Sequence, residues 1–143
     1  MPRVKLKLPK KFLFSTEIRV RISDINYGGH LGNEAILALI HEARVRLLKE
    51  YGFTELNIDG YGLIMINSVV IYKTESFYGE TLKFEISTEN FDKYGCDFIY
   101  KITKKETGKE VVRAKTGMVF FDYEIRKIAE VPKIFKSIFA SKE

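Results

Sequence analysis

Residues 23–34, "SDINYGGHLGNE", gather acids, amides, glycines and a histidine in one short segment. Side chains of these types can activate water, polarise a carbonyl group or bind an anion. Gly28, Gly29 and Gly32 let the main chain approach a ligand closely, because glycine has no Cβ atom. An apolar helical pattern begins directly afterwards, and the backbone N–H groups at a helix N-terminus attract negative charge. The segment is therefore the candidate functional site of the chain.

Three side chains of this segment could carry out chemistry. Asp24 and His30 are of the types that most often move protons in enzymes, and Asn26 could orient a water molecule or polarise a carbonyl group. Each also has a structural explanation. Asp24 can accept hydrogen bonds from loop N–H groups, Asn26 can form a turn, and His30 can be a packed loop residue. Both explanations stay open at this point.

A strand and a helix must position the segment. The preceding "TEIRVRI" alternates apolar and polar residues, which predicts a strand. From Glu34 to Tyr51 apolar residues recur at three- and four-residue spacing, which predicts a helix. Asn33 is its predicted N-cap, and Gly52 can end it in the left-handed conformation. The first two turns, "EAILALI", are apolar nearly all round, so we expect most sides of the helix to be buried.

Beyond residue 62 the patterns predict β-structure, in the runs "GLIMINSVVIY", "ETLKFEIST", "GCDFIYKIT" and "EVVRAKTGMVFFD". The first run is almost continuously apolar, which is typical of a central strand covered on both faces. Gly117 in the last run indicates a bulge or a close approach. Short, turn-like connections predict antiparallel hairpins, and "VPKIFKSIFA" predicts a short terminal helix that begins near Pro132.

These elements predict a single α+β domain over residues 1–143, with one long central helix wrapped by a curved antiparallel sheet of about five strands. A sheet of that size cannot cover so apolar a helix on every side. We therefore expect a second copy of the chain to close the remaining face, in a homodimer or a homotetramer.

The composition limits the function classes. The chain has 143 residues, a formal net charge of +5 and a single cysteine, Cys96. One cysteine excludes an intramolecular disulfide and a cysteine-based metal site, and we predict no metal site of any kind. The positive charge suits an anionic ligand or a nucleic acid. No nucleic-acid motif or stacking pattern accompanies it, so we expect no nucleic-acid partner.

The location of the protein is also an expectation from sequence. No apolar run of signal-peptide length follows the basic "MPRVKLKLPKKFLF", and no membrane-spanning pattern is present, so we expect a cytoplasmic protein without a membrane partner. Glutamine is absent while Lys, Glu and Ile are abundant, which indicates a thermophilic source.

The run from "VRISD" through "GHLGNEAILALIHEAR" resembles the hot-dog-fold acyl-CoA thioesterases, closest to the 4-hydroxybenzoyl-CoA thioesterase-like and acyl-acyl-carrier-protein thioesterase groups. Those groups typically show a strand that ends in Asp-x-Asp, then Gly-His-hydrophobic-x-Asn, then a helix with Glu-Ala-Arg. "YGETLKFEI" is similar to the family's Gly-Asp start of a strand, with Glu80 in the acid position. The other matching positions are Asp24, Gly29, His30, Leu31, Asn33, Glu42, Ala43 and Arg44.

One position departs from the family pattern. The second Asp of Asp-x-Asp usually serves as nucleophile or general base, and here it is Asn26. An amide does not accept a proton usefully near neutral pH. Two carboxylates are candidates for the displaced role. Asp24 points the same way as residue 26 in an extended segment, and Glu42 matches a helix glutamate that faces the site in several relatives. An exposed ion pair with Arg46, four residues on, would explain Glu42 equally well.

The resemblance implies a thioesterase that hydrolyses an acyl-CoA or acyl-carrier-protein thioester. Asp24 or Glu42 would activate water, and Asn26 and His30 would polarise the carbonyl group or the water. The backbone of residues 29–33 would hold the oxyanion. CoA is part of the substrate, so we expect no cofactor, and the site would lie at a subunit interface. The expected substrate-binding residues are Tyr27, Gly28, Gly29, Leu31 and Asn33.

Two alternatives stay open. Hydratases of the same fold carry Asp-x-Asn-Pro-x-His, and "DINYGGH" contains Asp24, Asn26 and His30. However, it lacks the proline and places the histidine one residue later, which would displace the base by about 3.3 Å in extended chain. Loss of the catalytic Asp is also consistent with a dimeric module that binds acyl-CoA without turnover.

Overall fold

A computed structural model describes residues 3–140, so the predicted single domain over 1–143 extends beyond the described residues at both ends. In chain order the elements are β1 (Phe14–Arg19), α1 (Asn33–Glu50), β2 (Gly62–Tyr72), β3 (Thr81–Glu89), β4 (Gly95–Lys104), β5 (Glu110–Asp122), β6 (Lys127–Ala129) and α2 (Lys133–Phe139). A 3₁₀ turn, Ile22–Asp24, lies between β1 and α1. None of the helices within residues 3–140 is long and apolar enough to cross a membrane.

The strands form one antiparallel sheet in the order β1-β3-β4-β5-β2, and β6 pairs with β5. The predicted hairpins β3–β4 and β4–β5 are confirmed, and so is the α+β architecture. The sheet has six strands rather than about five. β6 is only three residues long, which is too short for a periodic pattern to reveal it.

The core lies between α1 and one face of the sheet. The helix residues that face the sheet recur at three- and four-residue spacing and therefore share one side. The strand residues that meet them alternate along each strand, because successive side chains point to opposite faces. The principal helix members are Ile36, Leu39, Ile40, Ala43 and Leu47, and the principal strand members are Leu82, Phe84, Ile86, Phe98, Tyr100 and Ile102.

Both ends of α1 are set by glycines. Gly52 has a φ of +83° and donates its N–H to the Lys49 carbonyl, which confirms the predicted helix end. At the start, the N-cap is Gly32 and the helix begins with Asn33, so the prediction of Asn33 as N-cap is wrong by one residue. No side chain of the described residues caps this end, which leaves the first turn open.

β2 lies at an edge of the sheet, so the prediction of a central strand covered on both faces is wrong within one copy of the chain. Residues 65–68 are exposed, with Ile66 60% exposed. The register shifts between Met65 and Asn67, and the Asn67 Oδ1 atom accepts the Gly117 N–H at 3.1 Å. The close approach predicted at Gly117 is thus confirmed, and the irregularity lies in the facing strand.

α1 also has an uncovered side, because the sheet of a single chain reaches only the opposite one. Leu37 and Val45 are 36% and 41% exposed, and Ala38 is exposed between them. This agrees with the expectation that the sheet of one chain cannot cover so apolar a helix on every side. α1 and β2 therefore have more apolar side chains than the rest of the same chain covers.

A polar network, buried at Arg44, Tyr100 and Thr116, ties α1 to the sheet and to the segment that follows the helix. The Arg44 Nε atom donates to Glu55 at 2.8 Å, and its Nη1 atom donates to the Tyr100 hydroxyl at 3.2 Å. The Tyr100 hydroxyl lies 2.8 Å from Thr116 Oγ1, and His41 contacts the second oxygen of Glu55. Burial alone would lower the pKa of Arg44, but Tyr100 and Glu55 together raise it, so the guanidinium stays charged.

Substitution of Glu55 tests this network of hydrogen bonds. Glu55→Ala leaves the charged Arg44 buried without a carboxylate, and we expect a loss of about 3 kcal/mol in the free energy of unfolding, measured in urea. Glu124→Ala, in an exposed turn, is the control and should change that free energy by less than about 0.5 kcal/mol. A loss below about 1 kcal/mol for Glu55→Ala would mean that the pair acts as an exposed ion pair.

Candidate active site

The loop between β1 and α1 is closed by its own hydrogen bonds. The Asn26 N–H donates to the His30 carbonyl at 2.9 Å. The Asn26 Oδ1 atom accepts the N–H groups of Gly28 at 2.9 Å and His30 at 3.4 Å. Gly29 has a φ of +82°, in the left-handed region that favours glycine. The side chain of Asn26 thus shapes the loop, and it holds the backbone of His30.

Asp24 holds the base of the same loop. Its carboxylate accepts the backbone N–H of Arg21 at 2.8 Å, and the Nε and Nη2 atoms of Arg21 at 3.3 and 3.1 Å. The Gly32 N–H donates to the Asp24 carbonyl at 3.0 Å. Asp24 is 4% exposed, and both carboxylate oxygens have donors from Arg21. This arrangement joins the end of β1 to the start of α1.

A pocket of about 250 Å³ opens at the start of α1. One side of it is apolar and buried, and the other side is polar. Because the two sides belong to different elements, the pocket exists only when the β1–α1 loop, the end of β2 and the start of β5 come together. Its lining consists of His30, Leu31, Asn33 and Ile36, residues 72–76, Val111 and Val112.

Glu75 is the sole carboxylate among the described residues that line this pocket. Its Oε2 atom lies 3.2 Å from His30 Nε2, and the other ring nitrogen, Nδ1, lies 3.1 Å from the Leu31 carbonyl oxygen. A neutral imidazole has one N–H donor and one acceptor nitrogen. The Leu31 carbonyl and the Glu75 carboxylate are both acceptors. The ring can therefore donate to both at once only when each of its nitrogens carries a hydrogen. The side chains of His30 and Glu75 are 29% and 65% exposed, so water reaches the pair.

The first turn of α1 supplies backbone donors beside the pair. The Ala35 N–H donates to the Gly32 carbonyl at 3.1 Å. Within the described residues, the N–H groups of Asn33 and Glu34 have no hydrogen-bond acceptor. Asn33 lines the pocket. Free donors at the positive end of the helix dipole favour an oxyanion at this place.

Glu80 organises the second loop of the pocket, which connects β2 to β3. Its Oε1 atom accepts the Phe77 N–H at 2.7 Å and the Ser76 hydroxyl at 2.8 Å. Lys104 Nζ lies 3.2 Å from Oε2. Burial alone would raise the pKa of Glu80, but these donors together bring the pKa below its ordinary value.

The two loops are joined by one backbone hydrogen bond. The Leu31 N–H donates to the Ser76 carbonyl at 2.7 Å. In sequence, Leu31 follows His30 and Ser76 follows Glu75. The bond therefore fixes the spacing of the histidine and the carboxylate.

The structure separates the residues predicted for the site. His30, Leu31 and Asn33 line the pocket. Gly28 lies beside the imidazole but does not line the pocket, and a Cβ atom on it would lie 3.3 Å from Asn26 Oδ1 and 3.5 Å from His30 Nε2. Tyr27 is fully exposed at the tip of the loop. Asp24, Asn26 and Gly29 shape the loop and do not line the pocket.

Glu42 lies elsewhere on α1. Its carboxylate accepts the Arg46 Nε atom at 2.8 Å, as the four-residue spacing predicts, and is 51% exposed. It follows Asn33 by nine residues, which is about 13 Å along the helix. Within one chain, Glu42 and His30 are not brought together.

Sequence reasoning missed Glu75. It belongs to no motif of the β1–α1 loop, and only the fold brings the end of β2 against the start of α1. Its position close before the "YGETLKFEI" run was the available signal. In residues 3–140, no three His, Cys, Asp or Glu side chains lie together as metal ligands would.

The sequence profile of the thioesterase-like superfamily matches residues 20–139. The match spans most of the chain, and the chain belongs to this superfamily. A comparison with curated protein sequences gives no significant match.

Solved structures share the fold. A 1,4-dihydroxy-2-naphthoyl-CoA thioesterase from Synechocystis is 20% identical, with a TM-score of 0.81 over 90% of this chain and 96% of that chain. A hypothetical protein from Aquifex aeolicus is 21% identical, with a TM-score of 0.80 over 89% and 99%. A DHNA-CoA thioesterase from Staphylococcus aureus is 19% identical, with a TM-score of 0.75 over 86% and 83%. At these identities the likeness shows the hot-dog fold alone.

The contacts of Glu80 predict a pH-dependent stability. A lowered carboxyl pKa stabilises the fold above the ordinary pKa of 4.5, and this contribution is lost as the pH falls through the folded-state value. We expect Glu80→Gln to cost about 1–2 kcal/mol at pH 7. The difference from the wild type should narrow below about pH 4.5 in urea titrations.

Glu106→Gln, in an exposed turn, serves as the control for this series and should follow the wild type at every pH. A Glu80→Gln difference that stays constant from neutral to strongly acidic pH would contradict the account.

Proposed function

We propose that this protein hydrolyses acyl thioesters, with Glu75 as the general base and the first turn of α1 as the oxyanion site. One observation above all supports the proposal. The His30–Glu75 pair and Asn33, the first residue of α1, line a single pocket in a chain of the thioesterase-like superfamily, and the N–H groups of Asn33 and the adjacent Glu34 have no acceptor among the described residues. Such a pocket combines a carboxylate base, an imidazole and oxyanion donors.

In the proposed reaction, water attacks the thioester carbonyl carbon and gives a proton to the Glu75 carboxylate. The oxyanion of the tetrahedral intermediate accepts hydrogen bonds from the Asn33 and Glu34 N–H groups. The C–S bond then breaks, and the leaving thiolate takes the proton from Glu75. The products are a carboxylic acid and a thiol, and Glu75 returns to its starting state.

His30 has two tasks in this proposal. With Nδ1–H on the Leu31 carbonyl and Nε2–H on Glu75 Oε2, the ring holds one carboxylate oxygen and leaves Oε1 for water. When protonated, the ring would also stabilise the negative charge that develops nearby. Asn26 holds the backbone of His30, because its side chain accepts the His30 backbone N–H.

We propose an acyl-CoA or acyl-carrier-protein thioester as the substrate class. The Synechocystis protein of the same fold is a thioesterase for a CoA thioester. The net charge of +5 on this chain suits the phosphate groups of either carrier. CoA would be part of the substrate, so the reaction would need no cofactor.

Thiol release from a panel of acyl-CoA thioesters tests the base. We expect Glu75→Gln to lower kcat by a hundredfold or more, the scale of a lost general base, while KM changes little. Glu75→Asp should recover part of the rate, because it keeps a carboxylate. The control variants are Glu42→Gln and Glu50→Gln, two other carboxylates of α1, and both should stay within a few-fold of the wild type.

A hundredfold loss in Glu42→Gln with an active Glu75→Gln would assign the base to the helix glutamate instead. If the wild type cleaves no thioester but acyl-CoA raises its Tm, the protein is a binding module. The hydrogen bonds that Asp24 and Asn26 make within their own loop are consistent with that outcome. Loss of enoyl absorbance with crotonyl-CoA would identify a hydratase.

We also propose that two copies associate through β2 and α1. Met65 and Ile66 on the edge strand and Leu37 and Val45 on the helix are apolar and exposed. An uncovered edge strand is a template for pairing with another chain. Antiparallel pairing of two β2 edges would continue the sheet and leave the pocket, which Tyr72 of β2 lines, beside the interface. Two such dimers could pair as a tetramer.

Ile66→Lys tests the association. A charge on the exposed bulge of β2 should disfavour pairing, and we expect the variant to sediment as a monomer at concentrations where the wild type is a dimer or tetramer. Thr107→Lys, in an exposed turn, is the control and should sediment like the wild type. A monomeric wild type would contradict the proposal.

A further inference from the structure

We infer that the pocket selects short acyl groups, of about six carbons or a single aromatic ring, and that Ile36 is the residue that sets this limit. The inference rests on the proposed thioester hydrolysis, because it concerns the acyl group of the same substrate. It specifies the size and the polarity of the acyl group and the residue that limits its length.

The volume of the pocket sets the size. A dry cavity of about 150 Å³ holds one benzene ring, and a water molecule takes about 30 Å³. The pocket measures about 250 Å³. An acyl group of one ring or six carbons therefore leaves about 100 Å³ of the pocket for the thioester group and the attacking water. A long fatty acyl chain exceeds this volume and would extend out of the pocket.

Ile36 closes the pocket along the helix. It lies one turn beyond Asn33 on α1, is 1% exposed and lines the pocket. The next helix residues on the sheet side, Leu39 and Ile40, are 2% and 0% exposed and do not line it. They fill the space that a longer acyl channel along α1 would need. An acyl group whose carbonyl lies at the first turn meets Ile36 after about 5 Å, one helical turn.

The lining also sets the polarity of the acyl group. Leu31, Ile36, Val111 and Val112 are at most 6% exposed, and none offers a charged or hydrogen-bonding side chain. A carboxylate or ammonium at the far end of the acyl group would be buried without a partner there, which is costly. The pocket therefore suits an apolar acyl group, and the polar lining is left for the thioester.

Rates with acyl-CoA thioesters of increasing chain length test the limit. For the wild type we expect kcat/KM to fall at least tenfold from hexanoyl-CoA to dodecanoyl-CoA. Ile36→Ala should raise the ratio of decanoyl-CoA to hexanoyl-CoA rates at least tenfold, since one methylene in such a pocket is worth tenfold or more. Ile36→Val, which removes one methyl group and is the milder change to the core, should shift the ratio in the same direction.

Leu48→Ala is the matched control. Leu48 is also a buried residue of α1, but it lies 12 residues beyond Ile36 and does not line the pocket. The substitution opens a core cavity of similar size, so it reproduces any general loosening of the fold. Its chain-length ratio should equal that of the wild type.

Binding of hexyl-CoA and dodecyl-CoA, two thioethers that cannot be hydrolysed, separates this inference from the proposed function. Tighter binding of hexyl-CoA without any thioester turnover would support the size limit and overturn the hydrolase. Hydrolysis of dodecanoyl-CoA as fast as hexanoyl-CoA, or an unchanged ratio in both Ile36 variants, would overturn the size limit alone. Failure to bind either thioether would overturn both.

Discussion

The site depends on the backbone hydrogen bond between the Leu31 N–H and the Ser76 carbonyl, which joins two loops distant in sequence. One loop ends at the first turn of α1, and the other follows β2. The bond places His30 against Glu75 at the mouth of the pocket. Each loop is stiffened separately, by Asn26 on one side and by the three donors around Glu80 on the other. Without that junction, the carboxylate and the oxyanion donors would belong to separate surfaces.

The second constraint is the area that one sheet can cover. A sheet with β1 and β2 at its edges packs on one side of α1 and leaves the other side open. The apolar residues that remain outside, on α1 and on the middle of β2, form the surface to which we assign the association. An open side of α1 was expected for one chain, whereas burial was overestimated for β2, which was predicted to be covered on both faces and lies at an edge.

The fold followed from local patterns. Period-two alternation located β1, β3 and β4, and helical spacing with Gly52 located α1 within a residue at each end. The edge position of β2 did not follow from its sequence. An apolar run indicates that a strand is covered, but it does not indicate whether the same chain or another copy covers it. In the site, His30 was found from its loop. Glu75 was not, because its partner is reached only through tertiary structure, and no spacing in the sequence encodes that contact.

The central claim is that the acyl thioester binds between Glu75 and the first turn of α1. The most direct test is a crystal structure with a ketone analogue of hexanoyl-CoA, in which a methylene group separates the sulfur from the carbonyl carbon. We predict that the carbonyl oxygen lies about 2.7–3.1 Å from the N–H of Asn33 or Glu34, with the alkyl chain against Ile36. Binding of the carbonyl group beside Glu42 and Arg46, with the pocket at Glu75 unchanged, would contradict the account.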